Sequence, residues 1–297
     1  SSRMPELPDV DVYRDALAAR IAAKTLTGIA IVNPFVLRTA VPPIGSAVGR
    51  RVRAVRRLGK RIVIELDGAL HLVLHLMIAG RLRWLAPGAR GPGRITLARF
   101  QFDNGTLVFT EAGSKRRASL HLADGDAALQ AFDMGGLEVF DVTEADFVAR
   151  LARDNHTLKR ALTDPALISG IGNAYSEALL PRARLSPLRM THKLDDAQWT
   201  RLFAATREVL AEWRDRLAAE AGTGFPEKVT AFRPEMAVHG KFGAPCPVCG
   251  APVQRIVHAE NECNYCARCQ NNGVILADRA LSRLLHKSWA RSIDELG

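Results

Sequence analysis

Five cysteines are the residues of this sequence best suited to chemistry, and all of them lie within CPVCGAPVQRIVHAENECNYCARC, residues 246–269. Cys246 and Cys249 form one C-x2-C pair, and either Cys263/Cys266 or Cys266/Cys269 completes a second. The first choice leaves 13 residues between the pairs and the second leaves 16. Only the second falls in the range of roughly 15–20 that is typical of zinc sites. Four thiolates around one ion make a closed, structural site, whereas a catalytic site keeps a position open. The spacing therefore predicts one structural Zn²⁺ held by Cys246, Cys249, Cys266 and Cys269, with Cys263 outside the site.

A glycine-rich turn, LISGIGNAYSEALL at residues 167–180, is the second candidate for chemistry. Gly170 and Gly172 let the backbone turn tightly and bring N–H groups close to an anion. The helix that follows starts with its positive end at the same place, and the Asn173 side chain adds a donor. The turn is thus suited to bind a phosphate group, although glycines at this spacing also occur in ordinary helix–helix connections.

Charge and composition narrow the class of protein. Lys and Arg exceed Asp and Glu by 41 − 31 = 10, and the sequence pI is about 9.8, which favours a polyanionic partner such as nucleic acid. No run of about 18 apolar residues exists, so no membrane-spanning helix is predicted. The N-terminal residues also lack the basic-then-apolar pattern of an export signal. Because the cysteines are clustered, a disulfide framework is disfavoured and a reducing, cytoplasmic setting is expected.

The elements that must position these motifs begin with a helix and a β-rich half. Residues 9–23 read as a helix with one apolar face, and from about residue 26 to 122 short β-branched and apolar runs follow. The predicted strands are IVIEL, HLVLHLMIAGRLRWL, ITLARFQF and TLVFTEA. Asp103-Asn104-Gly105 predicts a hairpin between two of them, because Asn and Gly tolerate positive φ. Antiparallel strands without intervening helices indicate a β-sandwich or barrel.

After about residue 145 the pattern becomes helical. Residues 195–220 carry one apolar stripe, which core packing explains: Trp199, Leu202, Phe203, Val209, Leu210, Trp213 and Leu217. Periodicity is lost over residues 222–245, where Gly and Pro recur, and this predicts a loop or linker. The cysteine segment follows, and ADRALSRLLHKSWA predicts one last helix.

The order of these parts resembles one known family. The chain resembles bacterial formamidopyrimidine-DNA glycosylases and endonuclease VIII in four successive features. These are the Met4-Pro5-Glu6-Leu7-Pro8 start, the β-rich half, GIGNAYSEALL and the C-x2-C-x16-C-x2-C finger. The resemblance covers nearly the whole chain and implies an α+β multidomain fold. Its parts are an N-terminal β-sandwich with a flanking helix, a helix–two-turns–helix domain and a C-terminal zinc finger, expected at residues 4–140, 145–235 and 240–285.

The family excises oxidised bases from DNA and nicks the abasic site, and the resemblance implies which residues are catalytic. Pro5 would be the nucleophile through a free α-amine, whose pKa of about 8 leaves roughly 10% unprotonated at neutral pH. Attack on the anomeric carbon gives an iminium ion, which acidifies the neighbouring hydrogen and permits elimination. Glu6 would act as general acid and base. Lys60, in RRLGKRIVIEL, would contact phosphate and assist elimination.

The resemblance also implies which residues hold DNA. Lys159, Asn173 and Glu177 match the helical motif. Asn173 would hold the phosphate beside the lesion, and Glu177 would help to order the site. Because the base must leave the stack for this chemistry, a side chain must fill the gap. HLMIAGRL resembles the family's HLGMTGRL loop with Ile78 at the wedge methionine, and a buried strand residue is the competing interpretation.

Four departures from the family pattern bear on these expectations. Ser1-Ser2-Arg3 precede Met4, so the amine mechanism requires processing that leaves Pro5 N-terminal. Glu111–Ala118 replaces a DPRRFG stretch that helps to fill the void. GTGFPEKVTAF is compact where 8-oxoguanine-specific members carry a longer lesion-capping loop. Asn261 aligns with the DNA-binding finger arginine associated with δ-elimination, so we expect the β-elimination product to dominate.

The leading expectation is a bifunctional DNA glycosylase and abasic-site lyase. It would act on damaged double-stranded DNA as a monomer, in a bacterial cytoplasm and at the nucleoid. A non-catalytic lesion-sensing protein on the same fold is the alternative. The altered wedge, void-filling segment and finger residue favour it, and Pro5, Glu6 and Lys60 disfavour it. A ribosomal or topoisomerase-like component would explain the helical motif, but neither the PELP start nor the finger.

Overall fold

The structure, a computed structural model, describes residues 4–258, 261–276 and 290–296. They divide into two compact units. The first, termed the sandwich unit, takes in the described residues up to Met134 together with Trp213–Thr230. The second, termed the helix–finger unit, takes in Gly135–Glu212 and the described residues from Ala231 onward.

The sandwich unit contains two antiparallel sheets of four strands each, with helices beside them. Its elements in chain order are α1 (Leu7–Ile21), β1 (Gly28–Ile31), β2 (Val52–Leu58), β3 (Arg61–Leu66), β4 (Leu70–His75), β5 (Gly80–Leu85), β6 (Thr96–Phe102), β7 (Gly105–Glu111), β8 (Ser119–Asp124) and α2 (Asp126–Gln130). One sheet has the strand order β1-β6-β7-β5 and the other β2-β3-β4-β8. The predicted β-sandwich with a flanking helix is confirmed.

Side-chain alternation directs one apolar face of each sheet into a shared core. Ile62 and Ile64 of β3 and Phe100 and Phe109 of the other sheet are fully buried in the same cluster. Helix α1 adds the apolar face that its spacing predicts, and the residues of that face are all buried: Val10, Tyr13, Leu17 and Ile21. The helix begins at Leu7 rather than at residue 9, because Pro8 is tolerated in a first turn.

The hairpin predicted from Asp103-Asn104-Gly105 joins β6 to β7, but for a different physical reason. Neither Asn104 nor Gly105 has a positive φ. A Cβ on Gly105 would lie 2.5 Å from the Trp84 ring and 2.7 Å from the Leu85 carbonyl oxygen. Glycine is therefore required by the close approach of β5 rather than by the turn itself.

Within its described residues, the helix–finger unit combines four short helices and most of one long helix with one small hairpin. Its elements are α3 (Glu144–Ala152), α4 (Leu158–Thr163), α5 (Asn173–Ala183), α6 (Asp196–Ala221), β9 (Gln254–His258), β10 (Asn261–Tyr265) and α7 (Ala267–Asn271). Helix α6 carries the predicted apolar stripe and continues past Glu212 into residues of the sandwich unit.

The predicted loop and the last predicted helix have different outcomes. Residues 222–245 contain no helix or strand, as their composition predicts. The segment ADRALSRLLHKSWA lies outside the described residues except for Ala290. Among the described residues, none of the helices combines the length and the apolar character that a membrane crossing needs.

Candidate functional site

Pro5 and Glu6 lie at the start of α1 in the sandwich unit. Pro5 is buried, and Glu6 is 2% exposed. The Glu6 backbone N–H donates to Asp9 Oδ2 at 2.9 Å, which fixes the backbone where the helix begins. A buried carboxyl group directly beside Pro5 is the arrangement that proton transfer next to an N-terminal amine requires.

Lys60 lies at the tip of the hairpin that joins β2 to β3. Leu58 pairs with Arg61, so Gly59 and Lys60 form a two-residue turn. The φ of Gly59 is 62°, which suits the first position of a type II′ turn and favours glycine. Lys60 is half-buried at this tip.

Arg57 connects this hairpin to α1. Its Nη1 donates to the Gly59 carbonyl oxygen at 2.9 Å, and its Nε donates to Asp11 Oδ1 at 2.9 Å. The side chains of Arg57 and Asp11 are only 7% and 3% exposed. Burial raises the pKa of the Asp11 carboxyl, and the neighbouring guanidinium groups oppose that shift. A buried ion pair therefore links the turn that carries Lys60 to α1.

Ile78 lies at the tip of a tight turn between β4 and β5. The Gly80 N–H donates to the Leu76 carbonyl oxygen at 2.8 Å, and Met77 has a left-handed φ of 54°. Arg81 Nη1 donates to the Ile78 carbonyl oxygen at 3.1 Å. The Ile78 side chain is 43% exposed, so the interpretation as a buried strand residue is wrong. An exposed apolar side chain on a braced turn is suited to enter a base stack.

The segment from 111 to 118 forms a loop closed by a buried carboxylate. Glu111 is 1% exposed and accepts hydrogen bonds from the backbone N–H groups of Arg117 at 2.6 Å and Ala118 at 2.9 Å. The loop carries three exposed basic residues: Lys115, Arg116 and Arg117. Their positive charge suits phosphate groups of a nucleic acid.

In the helix–finger unit, α5 begins at Asn173 directly after the glycine turn. Gly170 has a φ of 80°, a conformation that favours glycine, and Gly172 is the N-cap residue. The positive end of this 11-residue helix therefore lies at Asn173. Asn173 Nδ2 donates to the Glu262 carbonyl oxygen at 3.1 Å, which uses one of its two amide hydrogens.

One turn further along α5, Glu177 lies at the centre of a buried polar network. Its side chain is fully buried. Oε1 accepts a hydrogen bond from Lys159 Nζ at 3.1 Å, and Oε2 lies 2.6 Å from His239 Nδ1. Lys159 Nζ also donates to the Asn173 carbonyl oxygen at 3.2 Å. The structure thus brings together Lys159, Asn173 and Glu177 and adds His239 to them.

Four finger cysteines converge on one point. Cys246 Sγ lies 3.9 Å from Cys269 Sγ, Cys249 Sγ lies 3.4 Å from Cys266 Sγ, and all four sulfur atoms lie within 4.8 Å of one another. Because Zn–S bonds measure about 2.3 Å, a tetrahedral zinc ion separates its sulfur ligands by about 3.8 Å. These residues fit a single structural Zn²⁺, and the ligand set predicted from the spacing is confirmed.

The remaining finger residues of interest lie on β10. Asn261 is exposed and pairs with His258 of β9. Cys263 lies outside the metal cluster. Burial, helped by a hydrogen bond to Glu177 and opposed by Lys159, raises the pKa of the Cys263 thiol to about 12. This thiol therefore stays protonated and unreactive at neutral pH.

Three side chains that support candidate residues within one unit or the other were not found by sequence patterns. His239 lies in an aperiodic segment, and its partner is 62 residues away. Arg57 lies in an ordinary basic run, and its partner Asp11 is 46 residues away. Only Glu111 carries a usable signal, since an acidic residue at the end of an apolar strand needs hydrogen-bond donors if it is buried.

Comparison with known proteins shows that three successive regions of the chain match family models. Residues 4–117 match the formamidopyrimidine-DNA glycosylase N-terminal domain. Residues 138–219 match the formamidopyrimidine-DNA glycosylase H2TH domain, and residues 243–272 match the zinc finger found in FPG and IleRS.

Relatives align over almost the full chain. The formamidopyrimidine-DNA glycosylase of Heliobacterium modesticaldum is 34% identical over 283 residues, which cover 90% of this chain and 100% of the relative. That of Thermus thermophilus is 33% identical over 289 residues, which cover 91% of this chain and 100% of the relative.

Solved structures agree with this alignment. Lactococcus lactis FPG bound to DNA containing an oxidised pyrimidine has a TM-score of 0.79 at 25% identity, and the match covers 90% of this chain and 100% of that one. MutM bound to DNA containing carbocyclic 8-oxo-G has a TM-score of 0.78 at 25% identity, with the same coverage of 90% and 100%.

Proposed function

The chain belongs to the formamidopyrimidine-DNA glycosylase family, and we propose that Pro5, Glu6 and Lys60 carry its reaction. It is a base-excision-repair DNA glycosylase with abasic-site lyase activity, and its finger carries one structural zinc ion.

Pro5 acts as the nucleophile once it is the N-terminal residue, because only then does it carry a secondary amine. The amine nitrogen attacks the anomeric carbon, the glycosidic bond breaks, and the base leaves with the bonding electron pair and takes up a proton. The amine then loses its own proton and the C1′–O4′ bond opens, so that its electron pair moves to O4′, which takes up a proton, and the nitrogen lone pair forms the iminium ion. The iminium ion acidifies the adjacent C2′ hydrogen, and loss of that proton expels the 3′ phosphate and nicks the strand. Glu6 transfers these protons, because its carboxyl group is buried directly beside Pro5.

Lys60 and the start of α5 bind the backbone of the damaged strand. Lys60 contacts a phosphate from the tip of its hairpin and assists the elimination. Asn173 and the positive end of α5 hold the phosphate beside the lesion. Lys159 and Glu177 order this site from within the protein, while Ile78 fills the gap that the flipped base leaves.

The substrate that we propose is duplex DNA with an oxidised base, bound by one copy of the chain. The relatives of known structure were solved with DNA that contains an oxidised pyrimidine or an 8-oxo-G analogue, which supports this class of lesion. The net charge of +10 supports a polyanionic partner.

One observation carries the assignment of the catalytic residues. Pro5 is followed immediately by Glu6, which is 2% exposed and held at the start of α1 by Asp9. A carboxyl group buried at that point can transfer protons during the reaction if the adjacent Pro5 nitrogen is the reacting amine.

The test is borohydride trapping on duplex DNA that contains an abasic site. A chain that begins at Pro5 should form a covalent adduct, whereas the chain that begins at Ser1 should not, because its Pro5 nitrogen is an amide. In the chain that begins at Pro5, Glu6→Gln should abolish excision of a damaged base but still allow trapping on a preformed abasic site, since no base remains to be expelled there.

The competing function is a lesion sensor without catalysis. A Pro5-initiated chain that binds abasic DNA with preference over undamaged DNA, yet gives no adduct and no strand cleavage, would establish the sensor and refute the nucleophile. Trapping of the Ser1-initiated chain at the same rate would instead move the reacting amine away from Pro5.

A further inference from the structure

His239 and Glu177 form a hydrogen bond inside the helix–finger unit, with Nδ1 2.6 Å from Oε2. Their side chains are 1% and 0% exposed. An ionised carboxylate offers only acceptors, so the imidazole must carry its proton on Nδ1 and donate it. The pair is therefore a directed contact in which the imidazole holds one particular oxygen of Glu177.

The surrounding structure leaves His239 little freedom. The residue lies in a turn that is closed by a hydrogen bond from the Lys241 N–H to the Val238 carbonyl oxygen at 3.0 Å. The next N–H, of Gly240, donates to Asn264 Oδ1 at 2.8 Å. The Phe232 ring meets the imidazole edge to face, with the centroids 5.9 Å apart. These contacts hold the imidazole in place independently of its hydrogen bond to Glu177.

The other oxygen of Glu177 leads to the start of α5. Oε1 accepts from Lys159 Nζ at 3.1 Å, and the same ammonium group donates to the Asn173 carbonyl oxygen at 3.2 Å. Because His239 holds Oε2, the carboxylate plane cannot turn, and Oε1 stays directed at Lys159. Lys159 in turn stays within reach of the first residue of α5.

We propose that His239 is a positioning residue for damaged-DNA binding, acting through Glu177 and Lys159 to hold Asn173 and the positive end of α5 against the phosphate beside the lesion. This role rests on the phosphate-binding function proposed above for Asn173. It assigns to His239 no contact with DNA.

Strand β10 supports the same arrangement from the finger side. Three consecutive residues of β10 each contribute one hydrogen bond to this arrangement. The Glu262 carbonyl oxygen accepts from Asn173 Nδ2, the Cys263 thiol is hydrogen-bonded to Glu177, and Asn264 Oδ1 accepts from the Gly240 N–H. The metal-stabilised finger and the start of α5 therefore share one hydrogen-bonded network, in which the His239 imidazole donates to Oε2 of Glu177.

The charges indicate which property His239 controls. Lys159 is only 18% exposed and is paired with a fully buried carboxylate, so most of its charge is neutralised inside the protein. Loss of His239 should therefore change the geometry at Asn173 more than the overall positive charge. Binding at a lesion should weaken, while binding to undamaged DNA, which depends on general electrostatics, should change little.

The test compares three full-length variants: His239→Asn, His239→Gln and His239→Ala. Asparagine can place its amide N–H close to the position of Nδ1, whereas the longer glutamine places it near that of Nε2. Dissociation constants are measured for duplexes with a tetrahydrofuran abasic analogue and for undamaged duplexes of the same sequence at one salt concentration. His192→Asn, at an exposed histidine of the same unit, is the matched control.

We expect His239→Gln and His239→Ala to lose roughly tenfold or more in affinity for the abasic duplex, which corresponds to a lost hydrogen bond to a charged group. The undamaged duplex should bind with little change, and His239→Asn should recover most of the lost affinity. In a Glu177→Gln background, His239→Gln should have little further effect, because both substitutions break the same contact.

Four results would overturn the role of His239. Equal losses for the Asn and Gln variants would show that the Nδ1 donor is not what matters. Losses that follow the unfolding temperature or zinc content of each variant would show a purely structural role. If the unsubstituted chain prefers abasic DNA and the Gln variant binds it with normal affinity, the role of His239 is refuted and the proposed function stands. If the unsubstituted chain shows no preference for abasic over undamaged DNA, the proposed function is refuted, and the role of His239 with it.

A measurement on the unsubstituted chain tests the His239–Glu177 contact without relying on variants that must fold. Long-range ¹H–¹⁵N correlation spectra report which imidazole nitrogen carries the proton. A proton on Nδ1 of His239 is expected, and a neutral ring protonated only on Nε2 would contradict the proposed contact.

Discussion

Arg57 and Asp11 form a buried ion pair, with Nε 2.9 Å from Oδ1, that joins the Lys60 hairpin to helix α1. The same guanidinium group donates to the Gly59 carbonyl oxygen within the turn. Arg57, which lies in no recognised DNA-binding motif, thus couples the hairpin that carries Lys60 to the helix that begins beside Pro5-Glu6.

Substitution of Arg57 by methionine should lower both stability and lyase activity. Removing one partner of a buried pair leaves an uncompensated charge and costs about 3–5 kcal/mol in the free energy of unfolding. Arg14 still lies 2.9 Å from Asp11, so the lower end of that range is expected. Denaturant unfolding measures the first effect, and the rate of strand cleavage at a preformed abasic site measures the second.

A double variant, Arg57→Met with Asp11→Leu, separates the two effects. It should regain much of the stability, because no buried charge is left unpaired, but the Gly59 contact and the cleavage rate should remain impaired. Arg53→Met on the same strand, at a side chain that is 65% exposed, is the surface control. An Arg57→Met protein that cleaves abasic DNA normally would show that the pair does not position Lys60.

Ile78→Ala should slow excision of a base from duplex DNA without destabilising the protein. The side chain is 43% exposed, so its truncation should change the free energy of unfolding by about 0.5 kcal/mol or less. When inserted in a base stack, an isoleucine side chain contributes about 1.5–3 kcal/mol through burial. We therefore expect excision to slow by roughly tenfold or more.

Single-turnover excision kinetics on duplex and single-stranded substrates provide the check. The defect should be largest on duplex DNA, where a gap must be filled, and small on single strands. Val48→Ala truncates a residue of similar exposure, 40%, outside the turn and should leave the rate unchanged. Equal defects on both substrates would assign Ile78 a role other than filling the stack.

The sequence alone predicts those features whose causes are local. The finger ligands follow from cysteine spacing, the α1 face from helical periodicity, and strands β3 to β7 from short apolar runs, whereas β1, β2 and β8 lie outside the predicted runs. These patterns succeed because the interacting residues lie within a few turns or strands of one another. The hairpin at Gly105 was predicted correctly, yet its cause is the approach of Trp84 from another strand, which no local pattern contains.

The contacts that organise the candidate residues within each unit are long-range, and the sequence does not mark them. Arg57 and Asp11 are 46 residues apart, and His239 and Glu177 are 62 apart. Each pair depends on two elements that meet only in the folded chain, so neither spacing nor composition predicts it. The family resemblance indicated Glu177 because it lies in a recognisable motif, but it could not supply a histidine from an aperiodic segment.

Asn261→Arg should increase the fraction of product that has undergone the second, δ-elimination. Asn261 is exposed on β10, so a longer basic side chain can reach phosphate without disturbing the core. Asn261→Gln keeps the polarity without the charge and should retain the product ratio of the unsubstituted chain. Denaturing gels resolve the two products. A chain with Asn261 that already yields mainly δ product would contradict the assignment of this position.

His75 should make the stability of the sandwich unit depend on pH below neutrality. Burial, reinforced by Arg61, Lys60 and His121, lowers the pKa of His75 from 6.5 to about 4. As the pH falls from 6.5 towards 4, the unfolded chain binds a proton here that the folded chain does not. The His75 contribution to the free energy of unfolding is therefore fully present above pH 6.5 and is lost as the pH falls.

His75→Gln should flatten that dependence, because glutamine does not titrate. Some slope should remain, since burial also lowers the pKa of His121. Denaturant unfolding at several pH values on the unsubstituted chain, on His75→Gln and on His258→Gln, an exposed histidine, isolates the effect as a difference between variants. Identical slopes for all three proteins would mean that His75 titrates alike in the folded and unfolded chains. The expected outcome instead means that His75 stays neutral in the folded chain at neutral pH, so that it adds no positive charge beside Lys60 and Arg61.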